Sequence, residues 1–334
     1  MKESLFNYRF EYENQKYIFN TNNNGLIQIN NDIFTEEERE YLRVNRFWVD
    51  DNEDEIALLE REINHNIQKR QKELELTIAL TNYCNFSCVY CYQNKNEKLM
   101  TTEVANMIIE KIDRILNDNI FEGINIHYFG GEPLLNKDCA QILEEVHKYE
   151  NQITGSVDFV TNGTMEIPDD IISVLAKHID KTKVVLSNYG EKLSKKIDII
   201  EETLKQNGIP YRVSKFYGDD LYYDGWIDFS NHDLKWKTIE ERDQNAQKCV
   251  HRVGKYFVIN DGELHCCSRS YWRIRQGIIP KIKGEYVPLM DDTISIEEKR
   301  QDLIEMFNKK SSTSCAYCVG LCNGVPRVKP AQQL

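Results

Sequence analysis

The chain has 334 residues, 41% of them hydrophobic and 29% charged, so it can bury a sizeable core and is long enough for roughly two domains. Its formal charge of -12 and pI near 5.2 argue against a nucleic-acid or membrane-surface binder, because such binding depends on clustered Lys and Arg. The first residues lack the apolar core of a signal peptide, and no run reaches the roughly 18 to 20 apolar residues of a membrane helix.

We therefore expect a cytoplasmic protein with no nucleic-acid or membrane partner. Because the cytosol keeps thiols reduced, the ten cysteines are not expected to form a disulfide framework. Grouped cysteines in that compartment more often bind metal or carry out redox chemistry. How the cysteines are grouped along the chain is therefore more informative than their number.

Residues 1–73 are predicted to form a separate small α+β module. YRFEYENQKYIFNT and GLIQIN alternate as strands do, with the turn sequence TNNNG between them. Thr35 stands three residues before Glu38, which is the spacing of a helix capping box. The pattern predicts a strand-turn-strand-helix unit, followed by an amphipathic helix in DEIALLEREINHNIQKRQ that serves mainly for packing.

Residues 74–235 alternate short apolar strands with helices. The predicted strands are LELTIAL, GINIHYF, SVDFV, KVVLS and YRVSKF, with helices near 102–117, 137–149, 167–178 and 191–207. This repetition indicates a parallel sheet, either a barrel or an open doubly wound sheet, with ligands at the carboxyl ends of the strands. Polar motifs follow four of those strands: the first cysteine loop, GGEP, TNGT and SNYG.

Residues 240–334 hold six of the ten cysteines in a compact tail. KYFVINDGELHCC predicts a hairpin that turns at Asp261 and Gly262, which would bring Cys267 back toward Cys249. Cys139 lies within a helical pattern and is most simply a small buried apolar residue.

The loop TNYCNFSCVYCYQ places Cys84, Cys88 and Cys91 within eight residues. A zinc site normally has four ligands, and no histidine stands close enough in sequence to complete one. Three cysteines can instead hold three irons of a 4Fe-4S cluster. The fourth iron would then remain open to a small molecule.

Cys-x3-Cys-x2-Cys after a first strand, with GGEP after the second, resembles the radical S-adenosylmethionine (SAM) superfamily over about residues 74–216. The resemblance implies a partial (β/α)6 TIM barrel in which Cys84, Cys88 and Cys91 ligate the cluster. It also implies that SAM binds the open iron and is cleaved to a 5'-deoxyadenosyl radical, which abstracts a hydrogen atom from the substrate. The cofactor-binding residues implied are Tyr90 against the adenine, Gly130 and Gly131 for close backbone approach, Glu132 for the amine, and Asn162 and Ser187 for the ribose or carboxylate.

The tail pattern Cys-x12-Gly-x4-Cys and then Cys-x2-Cys resembles the Twitch form of the SPASM domain. The resemblance implies one auxiliary 4Fe-4S cluster held by four cysteines: Cys249, Cys267, Cys315 and Cys318. A zinc knot on the same thiolates stays open as an alternative. The roles of Cys266 and Cys322 are also open, and one hypothesis is that either thiol returns a hydrogen atom to a product radical.

The N-terminal module resembles the extension that precedes the barrel in maturases of ribosomally synthesised peptides. Strand edges in that module would hold an extended leader peptide. We therefore expect a precursor peptide as substrate, a flavodoxin- or ferredoxin-type electron donor, and sensitivity to oxygen. The alternatives are a dehydrogenase of a small carbohydrate or aminocyclitol, a sulfatase-activating enzyme, and a non-catalytic Fe-S or zinc scaffold.

Overall fold

A computed structural model describes residues 1–30, 34–70, 73–91, 93, 99–116, 121, 123–148, 150, 153–219, 221 and 226–333, with the backbone alone over 64–70. The chain divides into two compact units, Met1–Lys69 and Arg70–Leu334. No helix within the described ranges combines the length and the apolar character that a membrane span requires.

The first unit is built on a three-stranded antiparallel sheet of order β2-β3-β4. Its elements are β1 (Lys2–Glu3), β2 (Asn7–Tyr12), β3 (Gln15–Asn20), β4 (Gly25–Ile29), α1 (Glu36–Val44), β5 (Trp48–Val49) and α2 (Glu55–Arg70). The predicted capping box of α1 is confirmed, since Thr35 and Glu38 each bond the other's backbone N–H. The prediction of one strand in YRFEYENQKYIFNT is wrong, because the backbone reverses at Glu13 and Asn14, both with positive φ.

The second unit is built on an eight-stranded sheet of order β10-β9-β8-β7-β6-β11-β12-β13. Its strands are β6 (Glu73–Ala79), β7 (Gly123–Phe129), β8 (Ile153–Thr161), β9 (Thr182–Asn188), β10 (Tyr211–Lys215), β11 (Tyr256–Asn260), β12 (Glu263–His265) and β13 (Tyr286–Pro288). Its helices are α3 (Thr102–Leu116), α4 (Cys139–His147), α5 (Asp169–Lys177), α6 (Ile197–Gln206), α7 (Ile239–Ala246), α8 (Val250–Val253), α9 (Ser268–Arg275) and α10 (Ile296–Asn308).

Strands β6 to β10 are parallel neighbours in chain order, which confirms the predicted α/β class with a parallel-rich sheet. Alternate residues of β6 point to opposite faces. Leu74, Leu76 and Ile78 are buried in the main core, which also includes side chains of α3 to α6. Glu73, Glu75 and Thr77 occupy the other face and are only partly buried.

The cysteine-rich tail continues this sheet. β11 pairs parallel to β6 on the side away from β7, so it is a sixth parallel strand in the same layer. The predicted hairpin is confirmed, with β11 and β12 joined through Asp261 and Gly262, both at positive φ as a type I′ turn requires. The boundaries 1–73, 74–235 and 240–334 stay a prediction, and the structure adds that β6 and β11 share one sheet.

Candidate active site and auxiliary metal centre

The first cysteine loop begins directly after β6, at the carboxyl edge of the parallel sheet. Cys84, Cys88 and Cys91 are all partly exposed. The Phe86 N–H donates to Cys84 Sγ over 3.4 Å, and Asn162 Nδ2 lies 3.9 Å from the same sulfur. Burial raises the pKa of Cys84 to about 11, so this thiol remains protonated at neutral pH unless a cation binds it.

Gly130 and Gly131 allow β7 to approach the backbone that leads into the cysteine loop. A Cβ on Gly130 would lie 2.3 Å from the Thr81 carbonyl oxygen, and one on Gly131 would lie 1.8 Å from the Tyr83 carbonyl oxygen. The Gly131 N–H donates to Thr81 O over 2.7 Å, and the Glu132 N–H donates to Tyr83 O over 2.9 Å. The close approach that the two glycines permit is thus made to protein backbone, at the residues one and three positions before Cys84.

Glu132 is a buried carboxyl that joins the ends of two strands. It is 1% exposed and accepts bonds from Leu134 N (3.2 Å), Thr161 Oγ1 (2.8 Å) and Asn162 N (2.8 Å). Burial raises its pKa to about 7, while these three hydrogen bonds oppose the rise. The predicted contact with a cofactor amine stays a prediction, and a positive charge beside this carboxyl would stabilise its ionised form.

Asn162 and Ser187 lie on neighbouring strand ends, as predicted. Asn162 Nδ2 donates to Asn85 Oδ1 over 2.9 Å, so it connects the end of β8 with the cysteine loop. The Ser194 hydroxyl lies 2.7 Å from Asn162 O and 3.2 Å from Ser187 O, between the ends of β8 and β9. Direct contact of either side chain with a cofactor stays a prediction.

Tyr90 packs against the end of the chain. It is 8% exposed, its hydroxyl accepts from Ala331 N over 3.0 Å, and its ring stacks on Trp226 at a centroid distance of 6.3 Å. Cys88 pairs with Gln333 as an isolated β-bridge, and Gln333 Nε2 lies 3.5 Å from Cys88 Sγ. The predicted adenine contact of Tyr90 stays a prediction.

The four predicted auxiliary ligands line one common cavity. Backbone N–H groups are directed at their sulfurs: Leu321 N to Cys249 (3.4 Å), Ser312 N to Cys315 (3.5 Å) and Gly320 N to Cys318 (3.1 Å). The neighbouring Cys266 thiol holds the pKa of Cys267 well below its usual range, and Arg269 and His251 lower it further. Such donors favour thiolates, the form of cysteine that binds metal.

Within the described ranges, His147, Glu150 and His178 form the one set of three or more His, Cys, Asp or Glu donors with all atoms within 4.8 Å of one another. The two imidazoles stack with planes 2° apart, so their lone pairs do not converge, and we assign no metal to that set.

The remaining cysteines lie in different surroundings. Cys139 is 1% exposed in the main core, which confirms the prediction of a buried apolar role. Cys266 is also 1% exposed, and its thiol donates to Ser312 Oγ over 3.1 Å. Cys322 is partly exposed near its own loop carbonyls. The hydrogen-return hypothesis stays a prediction for both Cys266 and Cys322, although the burial of Cys266 places its thiol away from solvent.

Sequence reasoning missed several polar residues around both centres. Thr161 and Ser194 connect strand ends, and Gln333 reaches Cys88. Arg252 and Arg269 line the cavity of the second cysteine group. Thr161 is the first residue of the TNGT motif, so its position at a strand end could have been recognised from the sequence. No sequence signal indicates that the two arginines are buried.

Comparisons with known proteins agree with this geometry. Residues 78–207 match the sequence model of the Radical SAM superfamily. The chain is 32% identical over 123 residues to the radical SAM cyclopropyl synthase TigE of Paramaledivibacter caminithermalis, covering 32% of this chain and 26% of that protein. It is 35% identical over 121 residues to a probable GTP 3',8-cyclase of Thermoplasma volcanium, covering 35% of this chain and 34% of that protein.

Among solved structures, Streptococcus suis SuiB bound to precursor peptide SuiA is similar at 19% identity and a TM-score of 0.36, covering 67% of this chain and 58% of that one. The matched segments span 26%, 34% and 49% of the first three curated relatives. The family match lies on β6 to α6, the elements that carry the first cysteine loop, GGEP and TNGT. By this match, residues 78–207 of the chain resemble the radical SAM superfamily.

Proposed function

We propose that this protein reductively cleaves SAM and uses the resulting radical to modify a ribosomally synthesised precursor peptide. The observation that carries the proposal is the set of three thiols after β6, beside the polar group of Glu132 and Asn162. Cys84, Cys88 and Cys91 would hold a 4Fe-4S cluster. When bound, that cluster and SAM supply a 5'-deoxyadenosyl radical that abstracts hydrogen from the substrate.

The chain's own residues hold and shape the site. Gly131 and Glu132 fix the cysteine loop through their bonds to Thr81 and Tyr83. The buried Glu132 carboxyl offers a negative group that suits the cationic amine of SAM. A flavodoxin- or ferredoxin-type protein would supply the electron, and the partly exposed thiols leave the loop accessible to such a donor.

A second centre on Cys249, Cys267, Cys315 and Cys318 belongs to the same proposal. The donor set fits an anionic iron-sulfur cluster, because N–H groups are directed at the sulfurs and cationic side chains surround the cavity. A zinc knot on the same four thiolates is the alternative. This centre would be an electron acceptor or relay.

The first unit supports a peptide substrate. β4 is an edge strand of its sheet, and an edge strand can pair with an extended peptide. Leu26 on this strand is 58% exposed and provides an apolar contact. We therefore favour a peptide over a small sugar as the substrate.

The proposal is tested on anaerobically reconstituted full-length protein with SAM and dithionite. We expect about eight irons per chain and release of 5'-deoxyadenosine, which follows from two 4Fe-4S clusters. The variant Cys84→Ala/Cys88→Ala/Cys91→Ala should retain about half of the iron and should release no 5'-deoxyadenosine. The control Cys139→Ala changes a buried core thiol and should preserve release. Zinc at the first loop, or continued release by the triple variant, would refute the proposal.

The substrate is tested separately with a peptide encoded by a short reading frame beside the gene. Deletion of Met1–Lys69, a compact unit, should abolish peptide binding while uncoupled SAM cleavage continues. GTP and an aminocyclitol serve as competing probes, since several relatives are probable GTP 3',8-cyclases. Turnover of either small molecule in place of the peptide would refute the peptide assignment and leave the radical chemistry intact.

A further inference from the structure

Three arginines are buried around the second cysteine group. Arg252, Arg269 and Arg273 are 5%, 3% and 1% exposed, and all three line the cavity that contains the four thiols. Burying a guanidinium is costly unless a negative group or hydrogen-bond acceptors compensate its charge. Each guanidinium therefore needs such partners, either from the surrounding protein or from a group bound in the cavity.

Two of the arginines have contacts that account for their positions. Arg273 donates to Ser314 O (2.7 Å), Ser314 Oγ (2.8 Å) and Tyr317 O (2.8 Å). Arg269 Nη1 lies 2.7 Å from Cys318 Sγ, and its guanidinium lies 4.7 Å from the centre of the Phe229 ring. Arg269 thus already bonds one predicted ligand.

Arg252 is different, because only one of its nitrogens is bonded. Nη2 donates to the carbonyls of Met306 and Lys309, which anchors the side chain at the end of α10. Nε and Nη1 are fully buried and have no partner. Each unmade hydrogen bond of a buried donor costs about 1–3 kcal/mol, so a native protein is expected to satisfy them. Arg252 lines the cavity of the cysteines, so a group bound there is the candidate acceptor for the two donors.

We propose that Arg252 is a positioning residue of the auxiliary centre, with Nε and Nη1 donating to sulfur atoms of a cluster bound in this cavity. This inference rests on the proposed function, because it requires a cluster on Cys249, Cys267, Cys315 and Cys318. Hydrogen bonds and positive charge beside an iron-sulfur cluster stabilise its more negative, reduced state. Arg252 would thereby raise the reduction potential of the centre and make it a better electron acceptor.

The test uses the full chain carrying Cys84→Ala/Cys88→Ala/Cys91→Ala, so that the remaining iron belongs to the second centre. Reduction is followed by EPR during a redox titration. We expect Arg252→Gln to make the reduced state at least tenfold less populated at a fixed potential, equal to 59 mV for one electron. Arg252→Lys retains the charge and should shift the potential less. The surface control Arg275→Gln removes a charge from an exposed side chain and should leave the reduction potential unchanged.

Loaded Arg252→Gln protein with an unchanged potential would overturn the inference. If that variant does not load iron, two other proteins are labelled with ¹⁵N-arginine and compared, one with native Arg252 and one with Arg252→Lys. Hyperfine coupling from arginine nitrogen to the reduced centre should weaken in Arg252→Lys, and equal coupling in both would overturn the inference. Loss of all iron from the triple cysteine variant with native Arg252 would instead refute the auxiliary cluster of the proposed function.

Discussion

Replacing Gly131 with alanine tests whether the GGEP loop holds the cysteine loop in place. The added Cβ would lie 1.8 Å from Tyr83 O, whereas real Cβ contacts are essentially never shorter than 3.0 Å. The backbones must therefore separate by about 1.2 Å, a difference worked from the same two distances. The obstructing atom belongs to backbone, so a side-chain rotation cannot relieve the overlap.

That separation breaks two hydrogen bonds, Gly131 N to Thr81 O and Glu132 N to Tyr83 O. Each contributes about 0.5–1.5 kcal/mol, and overpacking adds about 1–3 kcal/mol. We expect a loss of about 2–6 kcal/mol in unfolding free energy. Because Cys84 directly follows Tyr83, a displacement of about 1 Å at this proposed cluster ligand should lower SAM cleavage by about 100-fold.

The assay measures iron per chain and 5'-deoxyadenosine release after anaerobic reconstitution, with thermal unfolding of the apo protein in parallel. Gly277→Ala is the matched control, because its Cβ meets no atom within 4 Å and only its positive φ opposes the change. That control should cost about 1–2 kcal/mol and leave SAM cleavage intact. Wild-type release rates from fully loaded Gly131→Ala protein would refute this account of the loop.

Two further predictions concern other parts of the second unit. Burial lowers the pKa of His127, but its bonds to Asp158 and Glu75 outweigh this effect and raise the pKa to about 9. The contribution of about 3 kcal/mol is fully present below about pH 6.5 and is lost as pH rises through 9. The stability difference between wild type and His127→Gln should therefore shrink from pH 6 to 9.5 in denaturant titrations, and a constant difference would contradict this pairing. Tyr90→Phe should leave the buried Ala331 N–H without its acceptor, costing about 1–3 kcal/mol. Amide exchange at Ala331 should rise about tenfold or more, and unchanged exchange would count against the contact.

Sequence periodicity predicted the parallel strands because their buried residues recur along short, separate segments. It did not predict that β11 joins β6, since Tyr256 pairs with Glu75, far away along the chain, and local pattern carries no information on such a partner. It also missed the turn at Glu13 and Asn14, because neither residue is a glycine and the positive φ values arise from local strand pairing.

The order of the motifs predicted which residues meet at the sheet edge, since the carboxyl ends of parallel strands lie together. It did not predict how they meet. Glu132 is completely enclosed by donors from Leu134, Thr161 and Asn162, and that arrangement depends on strand register. Arg252 lies in the four-residue helix α8, and its Nη2 meets the carbonyls of Met306 and Lys309 only in the folded chain, which local sequence pattern does not predict.

The two cysteine groups differ in exposure, and this difference predicts how they lose iron. All three thiols of the first loop are partly exposed, whereas the second group combines two buried thiols, Cys249 and Cys267 at 6% and 8% exposure, with the partly exposed Cys315 and Cys318. An exchangeable ligand position must be open to a small molecule, so oxidants and chelators can reach the same iron. We therefore expect iron release to a chelator under mild ferricyanide oxidation to have two phases of equal size. The fast phase should disappear in the Cys84→Ala/Cys88→Ala/Cys91→Ala variant. A single phase in the wild type, or a fast phase that survives in the variant, would show that burial does not distinguish the two centres.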